Sequence, residues 1–458
     1  MPEAASTAGG SYNVIVESEV SARLSRNLVG ELTSSIEALM CAPPAQPRLP
    51  EVAILLCSVL LVASSLTAAD RMPVDPMPVE IDSTLPFGPA PIDYFSDSAD
   101  DVIARLQVEL DGGRRKLTAR GESGYLRDLL EVLSIPVESQ SLVFSQTSVN
   151  QSLIKPSSPR AIYFNDDVTM AWVPGAASIE ITVQDAAKGT IFYTLPQPVQ
   201  TPVDGPGQPP PLKFRREGRC IACHVSARTL NVPGHIISSF LTDATGRPRE
   251  GFSSINHATK FAERWGGYYV SGRAPNLIHW GNLIGEEDAA RHKLEPTFRG
   301  AVDDLTPLVD LSRYPTPHSD IVALLVLNHQ MHFHNLVNRV NFEHRLNRRS
   351  DAEEQLVRYA LMEDEAPLTG PVTGSTTFAD VYQSRGPRDE NGRTLRQLDL
   401  QTRLFKYKVS PLIASRSFQL LPEEVRTRLY KRMDERLAER DDTAPREIVR
   451  EVIPSWPK

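Results

Sequence analysis

Cysteine is scarce in this chain, with 4 in 458 residues, and that scarcity limits the covalent and metal chemistry open to it. Long apolar runs are scarcer still. The stretch Val52 to Ala63 is the notable one, too short for a comfortable membrane span but of the length of a signal-peptide apolar region. Small residues Thr67 and Ala69 before Asp70 form a cleavage site, so residues 40–69 read as a signal peptide, with an uncleaved signal anchor as the rival. The signal starts late, and Glu17, Glu19, Glu31 and Glu37 are foreign to a basic leader. Initiation at Met40 would leave Arg48 as the leader's charge, and residues 1–39 are set aside as a doubtful extension. Cys57 lies inside the apolar run, which does not fit a lipoprotein signal. Removal of the leader leaves Cys220 and Cys223 alone, which excludes a framework of structural disulfides. An excess of positive charge is missing too: 49 Lys and Arg face 57 Asp and Glu, for a net charge of -8. That balance argues against a nucleic-acid binder.

What the chain does have is Arg219-Cys220-Ile221-Ala222-Cys223-His224. Cys-x-x-Cys-His is the spacing by which a protein covalently holds a c-type haem: two thiols three positions apart add to the two porphyrin vinyl groups, and the adjoining imidazole ligates iron. The rivals are a thioredoxin-like redox pair and half of a zinc site. A redox pair has no use for the histidine and sits in a βαβ setting, whereas Pro209, Pro210, Pro211 and the basic run Lys213 to Arg219 precede this motif. A zinc site needs two more ligands, and His329 and His334, with a permissible spacing, lie about a hundred residues away. The reading is therefore one covalently attached haem c, with Cys220 and Cys223 as anchors and His224 as proximal iron ligand.

All 10 histidines fall between Arg215 and Asn347, which points to one electronically active region. Within it, Phe261 to Val270 packs aromatics around Gly266-Gly267, as a haem wall or a β-hairpin core would, and His279-Trp280 carries the same ambiguity. The stretch Asp320 to Arg339 predicts a long helix with a buried apolar first half. On it His329 and His332 share one face, as do Met331, His334 and Asn335. His329 is the first candidate for the distal iron position, followed by His257 and Met331. A methionine there raises the potential and suits electron carriage, a histidine lowers it, and an open site admits small reactants.

The mature chain predicts an α+β fold. An extended proline-rich arm (70–100) precedes a helical hairpin and an antiparallel β module (101–196). Two amphipathic helices, around Val102 to Leu110 and Tyr125 to Leu133, are separated by Gly112-Gly113, with Pro136 ending the second. Strands are expected at Ser141 to Phe144, Ala161 to Phe164, Val168 to Val173, Ile179 to Val183 and Thr190 to Thr194. Asp166 and Asp167, at a strand turn, read as turn chemistry rather than catalysis. A proline-rich linker (197–214) leads to a mainly helical haem region (215–347) and a helical C-terminal cap (348–458), in which Glu423 and Glu424 start a helix.

The segments Leu142 to Ser148, Pro159 to Asp167, Gly218 to Arg228, Val232-Pro-Gly-His235, Arg264 to Tyr269 and Leu404-Phe-Lys-Tyr407 together resemble a group of exported bacterial cytochrome c domain proteins. The likeness covers about residues 95 to 440. It implies a haem-bearing protein, periplasmic or otherwise exported, and carries over attachment at Cys220 and Cys223 and ligation at His224. It supplies no catalytic residue. The expected activity is electron transfer with a redox protein or a small-molecule donor or acceptor, and no membrane span once the signal is removed. The alternatives are a haem enzyme of peroxidase or oxidase type with an open distal site, or a haem-based sensor.

Overall fold

Two short helices form where apolar residues recur at three and four. The Asp101 carboxylate caps α1 (Val102–Asp111) by accepting hydrogen bonds from the amides of Ile103 and Ala104 at 2.7 and 2.9 Å. The helix buries Ile103 and Leu106, and α2 (Leu126–Val132) buries Leu126, Leu129 and Leu130. Ser134, at φ 53°, turns the chain out of α2 before Pro136 is reached.

The structure is a computed structural model that describes residues 84–198, 212–300 and 302–457, all within the unit Pro76–Lys458. The N-terminal extension, the signal peptide, the start of the arm and most of the proline-rich linker lie outside the described residues.

Alternating burial builds the sheet at the centre of the chain. Strands β1 (Ser141–Val143), β2 (Arg160–Phe164), β3 (Val168–Trp172), β4 (Ser178–Asp185), β5 (Gly189–Pro196) and β6 (Arg215–Arg216) pair in sequence order, each antiparallel to the next. Along β4, Ile179, Ile181 and Val183 sit opposite Leu195, Tyr193 and Ile191 of β5 and are buried. They share a core with the apolar faces of α1 and α2 and with Tyr163, Met170 and Trp172. Each buried Ile or Leu there contributes about 1.5–3 kcal/mol.

The region after β6 is less helical than its sequence suggests. It holds the single turn α3 (Ile221–His224), the hairpin β7 (Ser239–Thr242) with β8 (Pro248–Phe252), the short β9 (Gly272–Arg273) and α4 (Gly285–Leu294). Beyond a single 3₁₀ turn at Phe261–Glu263, the aromatic segment around Gly266-Gly267 forms neither helix nor hairpin. It docks by its backbone on the end of β1: the amides of Phe144 and Ser145 donate to the Gly267 carbonyl, and that of Tyr269 to the Leu142 carbonyl at 2.9 Å. Gly266 packs against the Phe240 backbone, where a Cβ would meet backbone atoms at 2.7 Å. Only a glycine admits that approach.

The long helix α5 (Ile321–Arg345) is capped by Asp320 and buries 22 of its 25 residues. Its start, Ile321 to Leu327, is apolar. From Asn328 onward it buries polar side chains, which must find partners. Asn328 accepts from Trp265 Nε1 at 2.9 Å, Gln330 donates to the Asn165 carbonyl at 2.6 Å, and Asn338 donates to Thr190 Oγ1 at 2.9 Å. The helices α6 (Ala352–Ala360), α7 (Phe378–Ser384, after the bridge strand β10, Thr373–Gly374), α8 (Arg416–Gln419), α9 (Glu423–Glu439) and α10 (Thr443–Val452) complete the helical C-terminal part. Leu356, Leu429, Met433 and Ile448 close a core over Phe333, Leu336 and Val340 of α5. The fold is thus mixed, a six-stranded antiparallel sheet in the middle with helices toward the C-terminus.

Candidate functional site

The sheet delivers the Cys-x-x-Cys-His motif. Arg216 pairs with Tyr193, and the Glu217 amide donates to the Phe192 carbonyl at 2.9 Å. The Glu217 carboxylate then caps the turn Gly218–Cys220 by accepting from the Arg219 amide at 3.1 Å. That turn runs directly into α3, so Cys220 and Cys223, three positions apart on helical backbone, share a face. Both are free thiols, Cys220 half-buried and Cys223 exposed. Burial, with Glu180 and Glu217 nearby, pushes the Cys220 thiol up to about 12. It is protonated at neutral pH, unlike the thiolate of a redox dithiol or a zinc ligand.

His224 closes the turn and is held at two points. Its carbonyl accepts from the Gly234 amide at 3.0 Å, and its ring Nδ1 meets the Gly234 carbonyl at 2.8 Å. A carbonyl oxygen only accepts, so Nδ1 carries the proton and Nε2 presents a lone pair. Burial lowers the pKa of His224, which keeps the ring neutral. One side of the ring lies against Phe192, with centroids 4.8 Å apart. A neutral imidazole whose second nitrogen donates to a backbone carbonyl is the usual state of a metal-ligating histidine.

The intervening loop is shaped to bring Gly234 back under His224. Ser226 and Thr229 form a reciprocal cap, and Leu230 and Asn231 adopt left-handed conformations at φ 57° and 56°. Asn335 of α5 then grips the loop. Its Oδ1 accepts from the His235 amide at 2.7 Å and its Nδ2 donates to the His235 carbonyl at 2.8 Å. A Cβ on Gly234 would meet Asn335 Oδ1 at 2.4 Å, so this contact requires glycine. Sequence reasoning missed Gly234 and Asn335 as parts of the site. The signals that could have found them are the glycine in Val232-Pro-Gly-His235 and the asparagine next to the helix histidines.

An apolar shelf adjoins the turn. Leu85, Ile92 and Tyr94 from the end of the arm pack with Val232 and Phe342, and Ile221 of α3 rests on this cluster beside Phe87. Phe95, in contact with both Phe87 and Tyr94, is 59% exposed. The Tyr94 hydroxyl donates to the Thr190 carbonyl at 2.8 Å, which ties the shelf to β5. The donor set therefore fits a haem c: two thiols on one face, a neutral imidazole whose Nε2 has no hydrogen bond among the described residues, and apolar surface alongside.

The distal candidates lie elsewhere. His329 is buried, with Nδ1 hydrogen-bonded to His257 Nδ1 at 2.8 Å and Nε2 to Ser410 Oγ at 2.7 Å. Both of its nitrogens are taken, and among the described residues no hydrogen bond or ring contact joins it to His224. His257, His329 and Tyr359 stack nearly parallel, with the His257 and Tyr359 centroids 3.8 Å apart. His332 meets Tyr359 edge-on, and Met331 is buried in the core that contains Trp265. Trp265 and His279 pack against each other in that region rather than on the motif. Another histidine, His235, was not weighed as a distal candidate. His235 directly follows Gly234, hydrogen-bonds to Gln184 at 2.9 Å, and lies 5.9 Å from the His334 ring, whose Nε2 donates to the Asp166 carbonyl at 2.7 Å. No family model, curated protein or solved structure matches this chain.

Proposed function

We propose that this chain is an exported monohaem c-type cytochrome that transfers electrons. Cys220 and Cys223 would carry the two thioether links, and His224 would ligate iron through Nε2. The observation that carries the reading is the hydrogen bond from His224 Nδ1 to the Gly234 carbonyl, because it sets the tautomer that ligation needs. Haem supplies one-electron chemistry when bound. The protein's own part is to hold the imidazole neutral and oriented, and to cover one side of the site with Phe192 and the shelf of Phe87, Tyr94 and Phe95. Export rests on the apolar run Val52 to Ala63, and the partner would be a redox protein or a small-molecule donor or acceptor. No helix among the described residues is long and apolar enough to cross a membrane.

The test is co-expression with a c-type maturation system followed by denaturing electrophoresis and haem staining. The wild-type chain should stain and the Cys220→Ala/Cys223→Ala variant should not. A wild-type chain without covalent haem, or a double variant that retains it, overturns the proposal.

A second reading, a haem-dependent oxidoreductase with an open distal position, is favoured by the His235–His334 pair. It leads from the residue next to Gly234 toward a cleft walled by Asp166 and Asp167. Carbon monoxide distinguishes the two readings. An unchanged ferrous spectrum supports the carrier, and a shifted one supports the enzyme.

A further inference from the structure

A cleft of about 540 Å³ opens beside the sheet, between the turn joining β2 to β3 and the C-terminal helices. Its volume suits a small organic molecule. The walls are apolar in large part, from Leu133, Val168, Val183, Leu395, Ala414 and Val452. Four arginines reach it, and three have carboxylate partners. Arg396 pairs with Asp166, and Arg105 and Arg416 both pair with Asp100, at 2.6 and 3.3 Å. The fourth, Arg385, is half-buried at the cleft and has no carboxylate and no side-chain hydrogen bond among the described residues.

A guanidinium kept partly out of water without a counter-charge is a site for one, since its planar fork matches a carboxylate in two parallel hydrogen bonds. The same wall limits how much negative charge the ligand can bring. Asp166 and Asp167 both line the cleft, and Asp166 is already neutralised by Arg396. A monoanion satisfies Arg385, whereas a polyanion would face the Asp167 side chain, and among the described residues each of the other three arginines at the cleft already has a carboxylate partner. The apolar walls need an apolar body to cover them. We propose that this cleft binds a small monocarboxylic acid with an apolar or aromatic body, its carboxylate held by Arg385. The inference goes beyond the haem reading and does not require it. Were both correct, the ligand would lie against Asp166, whose carbonyl accepts from His334.

The test is isothermal titration of the full chain, as purified after maturation, with benzoate and with hexanoate as probes. Benzamide serves as the uncharged control and inorganic phosphate as the competing anion. Either acid should bind, benzamide should bind at least about tenfold more weakly, and phosphate should not displace the acid. Arg385→Gln should weaken the acids by about tenfold or more, while Arg385→Lys, which keeps the charge but loses the fork, should fall between. Arg385 has no carboxylate or side-chain hydrogen bond to lose among the described residues, so these variants should melt like wild type. Ala414→Trp, which fills the cleft, should abolish binding independently. Neither acid binding, equal binding of benzoate and benzamide, displacement by phosphate, or undiminished binding in Arg385→Gln would overturn the proposal. Because binding is read as heat and haem content by staining, the two proposals fail separately.

Discussion

Asn335 brackets the backbone of His235 from both sides, accepting from its amide at 2.7 Å and donating to its carbonyl at 2.8 Å. Through that grip a side chain on α5 fixes a loop that the Cys-x-x-Cys-His motif itself touches. Gly234, one residue earlier, both accepts from the His224 ring and donates to the His224 carbonyl. A buried amide matched to the two polar groups of a single residue fixes both the loop's height and its rotation.

Asn335→Leu should therefore cost about 2–3 kcal/mol of stability, the sum of two buried hydrogen bonds lost and two backbone groups left without partners. Gly234→Ala should act on the same contact from the other side, since its Cβ would meet Asn335 Oδ1 at 2.4 Å and Thr229 Cβ at 3.1 Å. Denaturant titration measures the first effect. The second should appear in both stability and the yield of covalent haem. Wild-type stability in both variants would remove Asn335 and Gly234 from the architecture of the site.

The parts visible in the sequence are those encoded by side-chain spacing. Strands β1 to β5 follow two-residue alternation broken at Asn165-Asp166, Pro174-Gly175 and Lys188-Gly189, and the structure places them within a few residues of expectation. The helix α5 and the start of α9 at Glu423 were equally plain, through the Asp320 cap and the Pro422-Glu423-Glu424 sequence. The region between His224 and Asp320 was harder to read, because the segment around Gly266 and Tyr269 pairs through its backbone with Leu142 and Phe144, and such pairing leaves no side-chain period. The partner of His224 was hidden for the same reason, since it is a carbonyl. For His329, helical periodicity gave the face of the ring but not what it met there, and the structure places His257 and Ser410 on its two nitrogens.

Acid should destabilise this protein in a defined window. Seven histidines besides His224, namely His235, His257, His279, His292, His329, His332 and His334, are held below the ordinary value of 6.5 chiefly by burial. His279 is pushed down to about 4 and His329 to about 3. Below pH 6.5 the unfolded chain takes up protons that the folded chain refuses. Each such group thus contributes stability that is complete above 6.5 and lost by about 1.4 kcal/mol per pH unit as pH falls toward its folded value. Glu365 acts the other way. Burial raises it to about 7, so it offsets one histidine between pH 7 and 4.5, and Asp101, Asp167 and Asp320, also raised by burial, oppose the trend closer to their ordinary value of 3.8. The denaturant midpoint should fall markedly from pH 7.5 to pH 5. An unchanged or higher midpoint at pH 5 would show that these imidazoles are not neutral in the folded state.

The two thiols should differ in the haem-free protein. Cys223 is exposed, whereas Cys220 is half-buried and its thiol is pushed up to about 12. Alkylation requires the thiolate. With iodoacetamide at pH 7.5, mass spectrometry should find Cys223 modified in minutes and Cys220 largely intact until the chain is unfolded. Equal labelling of the two would contradict the burial of Cys220, and with it the seating of the turn between Glu217 and Ile221.

His329 offers the sharpest separation between a ligand and a structural group. Its ring bonds to His257 and Ser410 and stacks on Tyr359 with an interplanar angle of 2°. In His329→Leu the two side chains would lose their shared partner, and His257, whose Nε2 is already buried without one, would have neither nitrogen bonded to a side chain. The expected cost is about 2–4 kcal/mol, for buried polar groups stripped of partners. Because among the described residues no hydrogen bond or ring contact joins His329 to His224, the visible spectrum of the haem-loaded variant should match wild type in both oxidation states at temperatures where it stays folded. A change from low-spin to high-spin in that variant, with the fold intact by circular dichroism, would mean that His329 leaves His257 and Ser410 to reach the iron when haem is bound. The long helix would then supply the distal ligand after all.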